Sequence, residues 1–200
     1  MRILGIDPGS RLTGYGCIDV VGNQLIHIAH GTIVLSNTNG KATIPLEERL
    51  LSIHKGLSKV ILEFKPQVLA IEKVFFAKNA VSALKLGQAR GAAILTAMIH
   101  SLSVVEYSPT EVKQTVVGHG QADKEQVARM VGMLTGRKDF ATSDASDGLA
   151  LAICHAYRMR NPIAGAAKAG TSLGSKKNYS LAESVGAAAI ANARLKKGLL

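Results

Sequence analysis

Two short apolar runs, each followed at once by a carboxylate, constrain the fold of this chain most strongly. Residues 3–6 precede Asp7, and residues 68–71 precede Glu72. Short apolar runs of this kind are typical of buried strands. Both acids are therefore expected at the carboxyl ends of strands, which is where open α/β sheets carry their functional sites.

The remaining pattern predicts a mixed α/β sheet flanked by helices, in the order βββαβαβα. Residues 14–21 and 25–29 are strand-like runs separated by a Gly-Asn turn, so they predict an antiparallel hairpin beside the first strand. A long helix between the runs at 68–71 and 104–105 makes those two strands parallel neighbours through a right-handed crossover. The predicted helices begin at Pro45, Asn79, Asp123 and Ser143 or Asp144.

The charge of the chain is unevenly distributed. The sequence has 24 Lys and Arg against 14 Asp and Glu, a formal net charge of +10, and 47 % of its residues are hydrophobic. This composition favours a folded protein with an anionic partner. Residues 1–160 are expected to form one domain, and residues 161–200 a mobile basic tail rich in Gly, Ala and Ser. The tail is interpreted either as attracted to phosphates or as a solubilising extension.

Cysteine content and hydropathy exclude several classes of protein. Cys17 and Cys154 are far apart and form no CxxC pair, so a thiolate zinc site is excluded and two small buried hydrophobes are expected. The longest uncharged apolar stretch, residues 91–105, is too short and too polar to span a bilayer. No targeting segment is visible. We therefore expect a cytoplasmic protein without a membrane partner.

Four carboxylates are predicted to meet at one end of the sheet. Asp144 and Asp147 are three residues apart in a helical pattern and project from one face, towards the strand ends that carry Asp7 and Glu72. Ionised carboxylates gathered in this way need divalent cations, and hard oxygen ligands select Mg²⁺ or Mn²⁺. Two such ions would activate water for phosphodiester hydrolysis. Taken singly, Asp7 could begin a turn, Asp144 could cap a helix and Asp147 could be solvated.

Four segments then resemble the RuvC family of bacterial Holliday-junction resolvases. They occur in family order and extend the resemblance over about residues 1–157. These segments are residues 5–16, 70–79, 82–91 and 112–118.

The resemblance implies a ribonuclease-H-like fold and a homodimer that nicks two strands of four-way junction DNA symmetrically, in homologous recombination and DNA repair. It implies that Asp7, Glu72, Asp144 and Asp147 are the catalytic ligands of two Mg²⁺ ions per subunit, for which Mn²⁺ substitutes. Asp7 would bridge both ions, and the position of Asp144 varies within the family. The resemblance also implies a RuvA–RuvB branch-migration partner and a preference for certain sequences at the crossover.

The same match suggests residues that contact DNA. Lys113 and Lys124 would contact or neutralise phosphates near the metals, and each could instead be a solvated surface lysine. Independently of the match, Phe75 follows Glu72 closely and could stack on an unpaired base at the exchange point, or could instead be a core residue. Gly87 and Gly91, one helical turn apart, form a small-residue patch suited to self-association or to packing on the sheet.

Two other functions remain to be separated from nuclease activity. Asp7-Pro8-Gly9 followed by Gly14 resembles the phosphate loop of actin-like ATPases, but the chain has no Walker A motif and is too short for their second large domain. A module that binds branched DNA without cutting it would not need four acids. An immobile synthetic junction, incubated with Mg²⁺ and then with chelator, distinguishes these functions.

Overall fold

A computed structural model of the 200-residue chain describes residues 1–9, 11–35, 44–73, 80–137 and 143–160, and in the last range the side chains from residue 145 onward. These residues belong to one unit, Met1–Pro162. No helix within the described ranges is both long and apolar enough to cross a membrane. The secondary structure consists of β1 (Arg2–Pro8), β2 (Leu12–Val21), β3 (Gln24–Val34), α1 (Leu46–Phe64), β4 (Val68–Glu72), α2 (Ala80–Ile99), β5 (Ser103–Tyr107), α3 (Pro109–Val117), α4 (Lys124–Thr135) and α5 (Ser143–Arg160).

The strands form one mixed sheet in the order β3-β2-β1-β4-β5. β1, β2 and β3 are antiparallel neighbours, whereas β1, β4 and β5 run parallel. The predicted meander and the parallel pairing across α2 are both confirmed. The predicted cap of α2, Asn79, lies outside the described residues.

Helix α3 was not predicted as a separate element. Ser108 caps it, since its hydroxyl accepts from the Glu111 amide at 3.2 Å and the Glu111 carboxylate accepts from the Ser108 amide at 2.8 Å. Pro109 occupies the first turn, where its missing amide hydrogen is not needed. The sequence contains the pattern of this capping box, a serine followed three residues later by a glutamate. Asp123 caps α4 in the same way, as predicted, by accepting from the Gln126 amide at 2.8 Å.

Two apolar clusters cover the two faces of the sheet. On one face Ile3, Ile18 and Ala70 pack with α3, α4 and α5. On the other face, the neighbouring strand residues, such as Leu4 and Leu69, pack with α1 and α2. The alternation follows from the pleat, which points successive side chains to opposite faces.

The two cysteines lie in these cores, as predicted. Cys17 and Cys154 are both buried and form no disulfide. Burial raises the pKa of Cys17 to about 12 and that of Cys154 to about 11. Both thiols therefore stay protonated and behave as small hydrophobic residues.

Helix α5 lies against the backbones of β1 and β2 because three glycines face each other there. A Cβ atom on Gly148 would lie 2.6 Å from the carbonyl carbon of Tyr15 and 2.7 Å from the Gly16 nitrogen. A Cβ on Gly16 would lie 2.6 Å from the Leu149 Cα, and one on Gly5 would lie 2.7 Å from the Ala152 nitrogen. These separations leave no room for a side chain, so the helix position requires glycine on both sides of the contact.

Replacing Gly16 with alanine is expected to lower the free energy of unfolding by about 1–3 kcal/mol, because the added methyl group overlaps the α5 backbone. Lys59→Ala on α1 is the control, since this side chain is exposed and α1 packs on the other face of the sheet from α5. That variant should keep its stability, because lysine and alanine are both good helix formers. Urea denaturation measures both. Equal stability of the two variants would contradict the close-approach argument.

Candidate active site

Asp7 and Glu72 end two neighbouring parallel strands and share one face of the sheet. The register pairs Ile6 of β1 with Ile71 of β4, so the two acids follow directly after paired residues. Gly5 and Ala70, two residues earlier in each strand, face α5 or its core cluster. By the two-residue period of a strand, Asp7 and Glu72 face the same side.

Asp147 joins them from α5. It immediately precedes Gly148, the residue that touches the backbone of β2, so its position follows from the glycine contact. Asp7, Glu72 and Asp147 line a single cavity of about 300 Å³ together with Lys113 and Lys124. The apolar part of the wall consists of Pro109, Val112, Val127, Ala150 and Leu151.

Burial and a neighbouring charge raise the proton affinity of Glu72 in this cavity. Burial raises the pKa of the Glu72 carboxyl above its usual value, and the negative charge of Asp147 raises it further. A hydrogen bond with Asp7 and the charges of Lys124 and Lys113 act in the opposite direction, without cancelling the rise. The charges of the two lysines therefore do not fully compensate the buried acids.

The donor set fits a hard divalent cation. Asp7, Glu72 and Asp147 line one cavity, and Asp147 Oδ2 lies 3.4 Å from Lys124 Nζ, so an ammonium group already compensates one of these acids. A dication bound by the same oxygens would supply that compensation instead. Within the described part of the chain, no group of three or more His, Cys, Asp or Glu side chains is arranged to hold a metal ion as it stands.

The two lysines reach the cavity from adjoining helices. Lys113 lies on α3, and Lys124 is the first residue of α4, with its side chain 75 % exposed. The side chain of Arg158 on α5 fixes α3 beside them, because its Nη2 lies 3.5 Å from Glu111 Oε1. Lys124 at the capped start of α4 and Lys113 in the middle of α3 thus both line the cavity that holds the acids.

The structure brings together five of the predicted site residues: Asp7, Glu72, Asp147, Lys113 and Lys124. The side chain of Asp144 and the whole of Phe75 lie outside the described residues. Sequence reasoning missed the apolar wall. Val112 and Val127 fall in helical patterns that also serve the core, so nothing in the sequence marked them as lining a cavity.

Comparison with known proteins identifies the family. The model of the family "Crossover junction endodeoxyribonuclease RuvC" matches residues 3–155. The chain is 52 % identical over 157 residues to the RuvC of Syntrophotalea carbinolica, covering 78 % of this chain and 94 % of that protein. It is 53 % identical over 156 residues to the RuvC of Geobacter sulfurreducens, covering 78 % and 92 %.

Solved structures agree in fold. Thermus thermophilus RuvC, in complex with a Holliday junction substrate, superposes with a TM-score of 0.72 at 34 % identity, over 80 % of this chain and 95 % of that one. The yeast mitochondrial Holliday junction resolvase shares the fold alone, with a TM-score of 0.56 at 12 % identity over 78 % of each chain. The predicted ribonuclease-H-like class is confirmed. The chain belongs to the RuvC family of crossover junction endodeoxyribonucleases.

Proposed function

We propose that this protein resolves Holliday junctions by symmetric, metal-dependent hydrolytic nicking of two strands during homologous recombination and DNA repair. The observation that carries the proposal is the cavity in which Asp7, Glu72 and Asp147 meet beside two lysines. Family membership supports the substrate, since the relatives are crossover junction endodeoxyribonucleases and one solved relative holds a Holliday junction.

Asp7, Glu72 and Asp147 are the proposed metal ligands from the described residues, with Asp144 as the fourth on the strength of the family resemblance. Two Mg²⁺ ions, with Mn²⁺ as a substitute, would activate water and stabilise the charge of the leaving oxygen. The chain itself contributes the fixed carboxylates at the strand ends. The apolar wall around them limits solvent access on one side of the cavity.

Lys113 and Lys124 are proposed to bind backbone phosphates next to the acids. Both line the cavity, and Lys124 already pairs with Asp147 at 3.4 Å. An ammonium group at that position can hold a phosphate while remaining close to the carboxylates. Phosphate contacts position DNA without reading its sequence.

Asp7→Asn is expected to abolish cleavage of a synthetic four-way junction in Mg²⁺ while leaving junction affinity within about threefold, less than 1 kcal/mol. The change removes a proposed metal ligand and no phosphate contact. Gel assays of cleavage and fluorescence anisotropy of binding measure the two effects. Glu47→Gln, an exposed acid of α1, is the control and should cut normally, and chelator should stop the wild type. Normal cleavage by Asp7→Asn would overturn the proposed mechanism.

Lys113→Gln and Lys124→Gln are each expected to weaken junction binding and to reduce its salt dependence. The slope of log affinity against log salt should fall by about 0.9 for each lost phosphate contact. Lys55→Gln, an exposed lysine on the opposite face of the sheet, should leave the slope unchanged. Anisotropy titrations at several salt concentrations give the slopes. An unchanged slope in both site variants would remove these lysines from the DNA interface.

A second copy of the chain is the proposed partner of the outer face of α2. At Gly87 and Gly91 on this face, no atom of another described element lies within 4 Å of where a Cβ would be, so another helix can approach closely. A two-fold dimer would present two equivalent sites to a junction with two-fold symmetry. The exposed apolar side chains of this face, here called the α2 stripe, are Val81, Leu84, Leu95, Met98 and Ile99.

Leu95→Glu is expected to convert the dimer to a monomer and to abolish paired nicking, because it places a charge in the α2 stripe. Leu62→Glu on α1 is the matched control, since Leu62 and Leu95 are 64 % and 61 % exposed. Sedimentation velocity measures the oligomeric state of both variants. A wild type that is monomeric at micromolar concentration, or a dimeric Leu95→Glu, would contradict the assignment of this face.

A RuvA–RuvB partner is proposed on the family resemblance. Three further proposals rest on the sequence. They are stacking of Phe75, which follows Glu72 closely, on an unpaired base, a cytoplasmic location, and the division into a nuclease domain of residues 1–160 and a basic tail of residues 161–200. A product-mapping gel on a mobile junction would report the symmetry and the sequence preference of cleavage together.

A further inference from the structure

The peptide bond after Glu72 is held from both sides. The Lys73 amide donates to the Tyr107 carbonyl of β5 at 2.8 Å. The Glu72 carbonyl accepts from Arg90 Nε of α2 at 3.1 Å. Both polar groups of this peptide are therefore engaged, which restrains the backbone at the residue whose side chain enters the cavity.

Arg90 is itself fixed by a second partner. Its Nη2 donates to Glu106 Oε1 of β5 in a salt bridge, and the Arg90 side chain is only 22 % exposed. The guanidinium thus joins α2, β5 and the end of β4 through one planar group. Lysine has a single donor atom at the end of a flexible chain, so it cannot reproduce both contacts with the same geometry.

Arg90 is not among the described residues that line the cavity, and its bond to Glu72 is made to the main-chain carbonyl oxygen. Any influence on the reaction must therefore act through the backbone. We propose that Arg90 is a positioning residue, which aims the Glu72 carboxylate at the metal by holding the Glu72 carbonyl. This inference rests on the proposed function, since it concerns the same metal site.

The structure offers a matched control at the opposite end of β1. Arg2 Nη1 donates to the Phe64 carbonyl at 2.6 Å, and its Nε and Nη2 donate to Asp19 at 3.0 and 2.6 Å. Arg2 therefore makes the same kinds of bond as Arg90, to a main-chain carbonyl and to a carboxylate on a neighbouring strand. It lies at the other end of the sheet from the acids.

The test compares Arg90→Gln with Arg2→Gln in the full-length protein. Mn²⁺ binding without DNA is measured by calorimetry, single-turnover junction cleavage by gel, and folding by thermal denaturation. Arg90→Gln should weaken Mn²⁺ affinity and slow cleavage by about 10- to 100-fold, the usual effect of losing a group that orients a metal ligand. Arg2→Gln should lower the melting temperature with Mn²⁺ affinity unchanged.

Two milder variants keep the test informative if Arg90→Gln folds poorly. Arg90→Lys retains the charge and should recover part of the Mn²⁺ affinity. Glu106→Gln leaves the Arg90 bond to the Glu72 carbonyl in place and should lose less affinity than Arg90→Gln.

The inference is overturned if folded Arg90 variants bind Mn²⁺ as the wild type does, or if Arg2→Gln loses as much affinity. Failure of the wild type itself to bind Mn²⁺ and cut junctions would instead overturn the proposed function.

Discussion

The contact between α5 and the backbones of β1 and β2 is the constraint on which the rest of the structure depends. It exists because Gly5, Gly16 and Gly148 together leave no side chain in the interface. Asp147 immediately precedes the central glycine of this contact, so the distance between helix and sheet sets the distance between Asp147 and the strand-end acids. The glycine contact thus sets both the packing of α5 and the position of Asp147, so a substitution that moves α5 away from the sheet also moves this acid.

The gathered acids oppose folding unless something neutralises them. Two like unit charges 4 Å apart cost about 4 kcal/mol at an effective dielectric constant near 20. Burial and Asp147 raise the pKa of Glu72, and Lys113 and Lys124 offset only part of the rise. The elements around the acids are also joined by two ion pairs, Arg90 with Glu106 and Arg158 with Glu111.

Much of this arrangement could be predicted from the sequence because its signals are local. The apolar runs before Asp7 and Glu72 were short enough to be strands, and each acid follows its run directly. Long-range features were not predictable in this way. The glycines that face each other across α5 are separated by more than a hundred residues, and Arg158 meets Glu111 only after folding.

The contact between two histidines of β3 was also not predictable from the sequence, for a different reason. His27 and His30 contact each other, with Nε2 of His27 2.8 Å from Nδ1 of His30. The cause is an irregularity in the register opposite Cys17 and Ile18, which places two residues three apart on the same side of the strand. Strand periodicity alone would have put them on opposite faces.

The two sides of helix α2 make different contacts. Its inner side holds Arg90 against the end of β4, and its outer side carries the α2 stripe. Because both sides belong to one helix, a shift of α2 that accommodates a neighbour on its outer side would also move Arg90 and the peptide after Glu72.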